Sequence, residues 1–223
     1  MPEIPLYKRI LSYFYPVTIA KLDSKITPGL CVQMEAGKLL LNTANANYSY
    51  GNLHKVFEEV FEKSDIEANP PGSLLLLGLG SGSVIDILQS QYGCFPDITA
   101  LEIDEKVLEC LPFFENLNLE NVKIIQGDAF ETVEQDLGIF DLIVVDVFID
   151  LHTHPKVFTE AFVKQLSMKL AKEGTVFINC MINNSEDRKQ FAEFQLLLMR
   201  YFSEITGHEV FETNRVLELK APY

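Results

Sequence analysis

The chain has 223 residues, 48% of them hydrophobic, enough for one substantial core with a small appendage. Its formal net charge of −14, from 32 acidic against 18 basic side chains, repels a phosphate backbone, which excludes nucleic acid as a natural partner and favours a neutral or cationic small molecule. The four cysteines, Cys31, Cys94, Cys110 and Cys180, form no CxxC pair, and Cys31, Cys110 and Cys180 lie in apolar-patterned segments, so they read as buried thiols of a cytoplasmic protein.

Lys8 and Arg9 ahead of "ILSYFYPVTIA" imitate a targeting signal, but Pro16, two tyrosines and the lack of a small-residue cleavage pattern before Lys21 favour a pair of strands. "LCVQM" and "KLLLN" flank Glu35-Ala36-Gly37 and predict a hairpin, which makes residues 1–51 an N-terminal β-hairpin region. From Asn52 to Lys63, Leu53, Val56, Phe57, Val60 and Phe61 recur at helical spacing until "ANPPGS" stops them. No apolar run approaches the ~20 residues of a membrane helix, and no membrane partner is expected.

Beyond residue 72 strand and helix signals alternate. "SLLLLGL" precedes a helix from about Ser83 to Gln91, "DITALEI" one from about Glu105 to Phe114, and "VKIIQG" a short one. "FDLIVVDVF" precedes a helix from about Pro155 to Ala171, and "GTVFINCMI" one from about Glu186 to Phe202. Strands this continuously apolar are covered by helices on both faces. With two further strands in the tail "GHEVFETNRVLELKAP", as an antiparallel edge hairpin around a turn near His208, the fold class is α/β: a doubly wound, mostly parallel, seven-stranded sheet over residues 52–223.

Ligands of such sheets bind at the carboxyl ends of the strands, where the first strand runs into Gly78, Gly80 and Gly82. Glycines there let the backbone turn sharply and approach a ligand closely, although a ligand-free strand-to-helix turn would look similar. The nicotinamide fingerprint needs its third glycine one residue later, where Ser83 stands, so S-adenosylmethionine suits GxGxG better. Glu102 and Asp104 end the second strand, about twenty residues on, where an acid accepts ribose hydroxyls; a carboxylate at this place also caps a helix, and Asp104 is open to that role. Asp128 follows the third strand, placed to accept an adenine amine, with the Ala129 N–H available to the ring.

Together "LLLLGLGSGSV", "LEIDEKVLE", "IIQGDAF", "FDLIVVDVF" and "VFTEAF" resemble the class I S-adenosylmethionine-dependent methyltransferase fold in its spermidine-synthase-like branch, over roughly residues 30 to 220. The resemblance implies a Rossmann-like cofactor domain behind an N-terminal β region, and a homodimer. It also implies a carboxylate base after the fourth strand, in a D-S/T-x-D-P stretch, that deprotonates an amine attacking decarboxylated S-adenosylmethionine. Here that stretch reads Asp146-Val147-Phe148-Ile149-Asp150, with the second carboxylate displaced by one residue and no proline. The family's Asp between the later glycines, which pairs with the amine of the decarboxylated cofactor, is replaced by Ser81, and its Tyr-His-Glu stretch by Tyr48, Tyr50, His54 and Lys55.

These departures favour methyl transfer from the intact cofactor to a small-molecule acceptor, an amine being one candidate class, with Asp146 orienting or deprotonating it and Asp150 and Tyr50 in support. Aminopropyl transfer to a polyamine, and a catalytically silent module that works by association, remain as alternatives. Tyr13, Phe14 and Tyr15 offer an aromatic face for a dimer in any of these cases, and Asn179, Asn183 and Asn184 add polar capacity after the fifth strand. Asp150, His152 and His154 imitate a metal triplet, but with no outlying ligand in the pattern no metal is expected.

Overall fold

The structure, a computed structural model, describes residues 4–43, 52–114, 117–149 and 152–222. It opens with α1 (Leu6–Leu11), followed by a three-stranded antiparallel sheet of β1 (Val17–Lys21), β2 (Cys31–Glu35) and β3 (Lys38–Asn42). The turn joining β2 to β3 is Ala36-Gly37, both with positive φ (45° and 79°), the geometry whose twist matches that of a hairpin. Ser12 pins it, since its carbonyl accepts from Ala36 N–H at 2.7 Å and its hydroxyl from Gly37 N–H at 3.0 Å.

The expected strand pair before Lys21 is corrected to a helix and a strand. Pro5 opens α1 and its carbonyl accepts the Lys8 N–H; α1 buries nothing, and Tyr13, Phe14 and Tyr15 after it are all exposed rather than alternating. Leu30, beside this sheet, and Val32 and Leu41 within it pack with Val107 and Cys110, which seats the sheet over the segment that follows Asp104.

After α2 (Asn52–Glu62) come β4 (Ser73–Leu77), α3 (Ser83–Tyr92), β5 (Asp97–Glu102), α4 (Glu105–Leu108), β6 (Val122–Gln126), α5 (Ala129–Thr132) and β7 (Phe140–Val145). Two short strands, β8 (Phe148–Ile149) and β9 (His152–Thr153), pair with each other. Then follow α6 (Glu160–Lys169), β10 (Leu170–Met181), α7 (Ser185–Leu198), β11 (Phe202–Val210) and β12 (Asn214–Pro222). The seven-stranded sheet runs β11-β12-β10-β7-β4-β5-β6; β4, β5, β6, β7 and β10 are parallel, and the β11–β12 hairpin is antiparallel at one edge.

Period-two side-chain alternation divides the core between the two faces of the sheet. Leu75, Leu77, Ile143, Val145, Val176 and Ile178 enter one cluster with α6 and α7 residues, while Leu74, Leu76, Leu142, Val144 and Phe177 enter the other with α2 and α3 residues. All eleven are fully buried or nearly so, hence the unbroken apolar runs in the sequence.

Helix boundaries are shorter than the sequence pattern predicts. The helix expected to reach Phe114 ends as α4 at Leu108, and a 3-10 turn holding Pro112 takes over at Leu111–Phe113. The one expected over 155–171 splits into a 3-10 turn, Pro155–Phe158, and α6, because Thr159 is extended; β10 has already begun at Leu170. His208 is not in a turn: it lies on β11, where its Nε2 pairs with the buried Glu218 Oε2 at 2.8 Å, and the hairpin turns at Phe211, with φ 54°. Among the described residues no helix is long and apolar enough to cross a membrane.

Candidate functional site

Strand order reverses between β4 and β7, and the loops leaving their carboxyl ends part to form a cavity of about 510 Å³. Gly78 sits at that fork. Its φ is +92° and a Cβ there would strike the Asp146 carbonyl oxygen, so only glycine lets the two strand ends lie this close. Gly80, at φ +54°, has no atom within 4 Å of where a Cβ would stand, which leaves open space above the loop backbone. Gly82 faces away from the cavity: it begins α3 in the left-handed region, packed against Leu117.

The carboxylates divide by role. Glu102 lines the cavity with Oε2 accepting from Gly80 N–H and Oε1 from Asp104 N–H, each at 3.0 Å; burial pushes its carboxyl above the usual range against the pull of those bonds. Asp104, expected beside it in cofactor binding, is not among the residues that line the cavity. Its carboxylate caps α4 through Lys106 N–H at 2.9 Å and accepts the Ser24 hydroxyl, which ties the N-terminal sheet to the helix.

Asp128 and Ala129 both line the cavity at the end of β6. Asp128 Oδ1 caps α5 through Phe130 N–H at 2.8 Å, and Oδ2 meets Lys156 Nζ at 3.3 Å on the rim.

Asp146 continues β7 one residue past its end, its N–H bonded to the Leu77 carbonyl at 2.8 Å. The side chain is enclosed by protein except where it meets the cavity, and this desolvation raises the carboxyl to about 6, against the lowering effect of a 2.9 Å bond from Asn179 Nδ2. Asn179 is held in turn by Asn214 Nδ2 at 3.0 Å. Asn179, expected after the fifth strand, lies within it on β10; Asn214 carries no mark in the sequence, because only the β10–β12 pairing brings it near. Asn183 and Asn184 serve the loop instead, Asn184 capping α7 through Glu186 and Asp187 N–H.

The remaining walls were not legible as site residues. Phe148 and Ile149 of the β8–β9 excursion cover one side, and Ile26, Pro28, Leu30 and Leu41 of the N-terminal region another. His154 lines the cavity stacked on Phe130, ring centroids 4.5 Å apart; its Nδ1 accepts the Lys156 N–H at 3.2 Å, so the ring proton sits on Nε2, and burial lowers its pKa. Tyr48, Tyr50 and Asp150 lie outside the described residues, and His54 falls on α2. Among the described residues no group of three His, Cys, Asp or Glu side chains is arranged for a metal.

The cavity thus offers Asp146, Glu102 and Asp128 at the ends of β7, β5 and β6, with the glycine loop of β4 between the first two, the backbone and hydroxyl of Ser81, and apolar walls, with no Lys or Arg among its described lining residues. Such a set holds a polar, cationic molecule by its hydroxyls and amines and can take one proton at Asp146.

Comparison with known proteins gives a consistent picture. The family profile described as "Spermine/spermidine synthase domain" matches residues 37–213. A search of the curated proteins finds no match. Among solved structures, human methyltransferase-like protein 13 in complex with SAH is similar at 19% identity and TM-score 0.62, over 77% of this chain and 83% of that one. A spermidine synthase in complex with the transition-state analogue AdoDATO is similar at 13% identity and TM-score 0.68, and the spermidine synthase of Thermotoga maritima at 13% and 0.69; each covers 92% of this chain and 72% of its own. At these identities the likeness establishes the Rossmann-like methyltransferase fold, in agreement with the sheet order.

Proposed function

The chain belongs to the spermine/spermidine synthase domain family, and from that premise we propose that it is an S-adenosylmethionine-dependent transferase that moves a methyl group to a small-molecule acceptor. The observation that carries this reading is the pairing of a cavity-lining Glu102 with an open glycine loop in which Ser81 replaces an acid. The cofactor supplies an activated methyl on a sulfonium, which asks of the protein only alignment, exclusion of water and a place for a proton.

The residues fit that ligand. Glu102 is placed to accept ribose hydroxyls, Asp128 an adenine amine and the Ala129 N–H a ring nitrogen, while the unobstructed space at Gly80 admits close backbone approach. Ser81 Oγ, 3.1 Å from Ser83 Oγ, presents hydroxyls rather than a carboxylate, which removes the repulsion that would disfavour a carboxylated cofactor. Asp146 orients the acceptor and takes its proton at the cavity face, and Phe148 and Ile149 keep water away.

Aminopropyl transfer from the decarboxylated cofactor is the second reading, favoured by the family itself and by the acidic lining. Calorimetric titration with both cofactor forms separates the two. Tighter binding of intact S-adenosylmethionine is expected; preference for the decarboxylated form would transfer the assignment to aminopropyl chemistry, and binding of neither would remove the transferase reading.

A further inference from the structure

Asp146 is the inner end of a chain of side-chain hydrogen bonds that leads out of the cavity. Its Oδ1 accepts from Asn179 Nδ2 at 2.9 Å, Asn179 Oδ1 accepts from Asn214 Nδ2 at 3.0 Å, and Asn214 Oδ1 accepts from the Thr213 hydroxyl at 3.4 Å. Asn179 and Asn214 are 1% and 2% exposed, so neither amide has water to fall back on. The antiparallel register of β10 with β12 sets Met181 opposite Asn214, and Asn214 Nδ2 also lies 3.2 Å from the Met181 sulfur, a weak acceptor.

An amide presents either a donor or an acceptor, and which it presents is set by its surroundings. An ionised carboxylate only accepts, so beside Asp146 the Asn179 amide must turn its NH2 inward. Its buried oxygen then needs a donor on the far side, and Asn214 is that donor. The sequence of donors along Thr213, Asn214 and Asn179 therefore runs one way, towards the cavity. A proton placed on Asp146 Oδ1 would oppose it and require both amides to reverse; a proton placed on Oδ2 leaves it intact.

We infer that Asn179 and Asn214 are positioning residues: they hold Asp146 by Oδ1 and reserve Oδ2, the oxygen without a protein partner among the described residues, as the place where an acceptor's proton is received. The identity of the acceptor rests on the transferase reading, but the relay does not. The other titratable groups on the cavity wall are Glu102, Asp128 and His154; none of them bonds to this chain of amides.

The test is a carbon-13 NMR titration of the aspartate carboxyls in the whole protein, with Asp146 assigned from Asp146→Asn, alongside the side-chain NH2 protons of Asn179 and Asn214. In the native protein both amides are expected to follow the midpoint of Asp146, near 6. Asn179→Ala is expected to raise that midpoint by about one pH unit, the size of one hydrogen bond to a charge, and Asn214→Leu, which keeps the volume and removes the donor, by about half as much.

An unmoved midpoint in folded Asn214→Leu, or Asn214 protons that stay flat while those of Asn179 move, overturns the relay. The second observation needs no variant, so it decides the matter even where a substitution prevents folding. Calorimetry of the native protein with S-adenosylmethionine tests the transferase reading separately, and failure there leaves the titration result standing.

Discussion

At Asp146 chemical utility and stability pull in opposite directions. A folded carboxyl that titrates at about 6 instead of 3.8 binds its proton more tightly than the unfolded chain does, so the contribution of this group to stability is greatest below about 4 and is lost as pH rises through 6. The full difference corresponds to about 3 kcal/mol at neutral pH, reduced by whatever the surroundings rearrange. Asp146→Asn is therefore expected to melt at a higher temperature than the native protein at pH 7 and at nearly the same temperature at pH 4, as read by calorimetric melting at the two values. A variant that is less stable at pH 7 would show that the carboxylate is better compensated than its burial suggests. Asp146 is legible through the family resemblance, which implies a carboxylate base after the fourth strand; the sequence does not show its desolvation, which depends on the packing of β10 and of the loops that meet at the cavity.

Elements were legible in type and less so in extent. The doubled apolar faces of β4, β7 and β10 follow from runs such as Leu74 to Leu77, whose members alternate between two cores. Extent failed where one residue broke a periodic run, Pro112 after α4 and extended Thr159 before α6; type failed at the N-terminal end, where Pro5 opens a helix at Leu6 ahead of the exposed aromatics. The same scale separates Glu102 and Asp104, two acids at one strand end of which only Glu102 lines the cavity. Asp104→Ala is expected to cost about 1–2 kcal/mol of stability by removing the α4 cap and the bond from Ser24, with cofactor affinity nearly unchanged. Glu102→Ala should do the reverse, weakening binding at least tenfold with a smaller effect on stability. Parallel chemical denaturation and calorimetric binding of the two variants checks both halves, and equal loss of affinity in the two would return Asp104 to the site.

At the scale of the molecule, the cysteines report on integrity. Cys94, Cys110 and Cys180 sit in three different apolar clusters, and all four thiols are buried and free. Burial raises the pKa of each, that of Cys110 to about 11 and that of Cys180 further. A colorimetric thiol reagent is expected to find essentially none in the native protein and all four after denaturation; early reaction of one would locate a region that opens on its own.

The acidic balance visible in composition reappears in the cavity, where three carboxylates are among the lining residues, no described lining residue is Lys or Arg, and Lys156 on the rim pairs with only one of the three, Asp128. Such a field discriminates by charge alone. Under the proposed methyl transfer, such a field would draw in a sulfonium, and once the methyl group had left, the remaining thioether would be neutral at sulfur and less strongly retained. Discharge of the spent carrier would then follow from the reaction itself, without a moving part. Binding of S-adenosylmethionine should weaken several-fold from low to high ionic strength, while binding of S-adenosylhomocysteine stays nearly level, as paired titrations across salt would record.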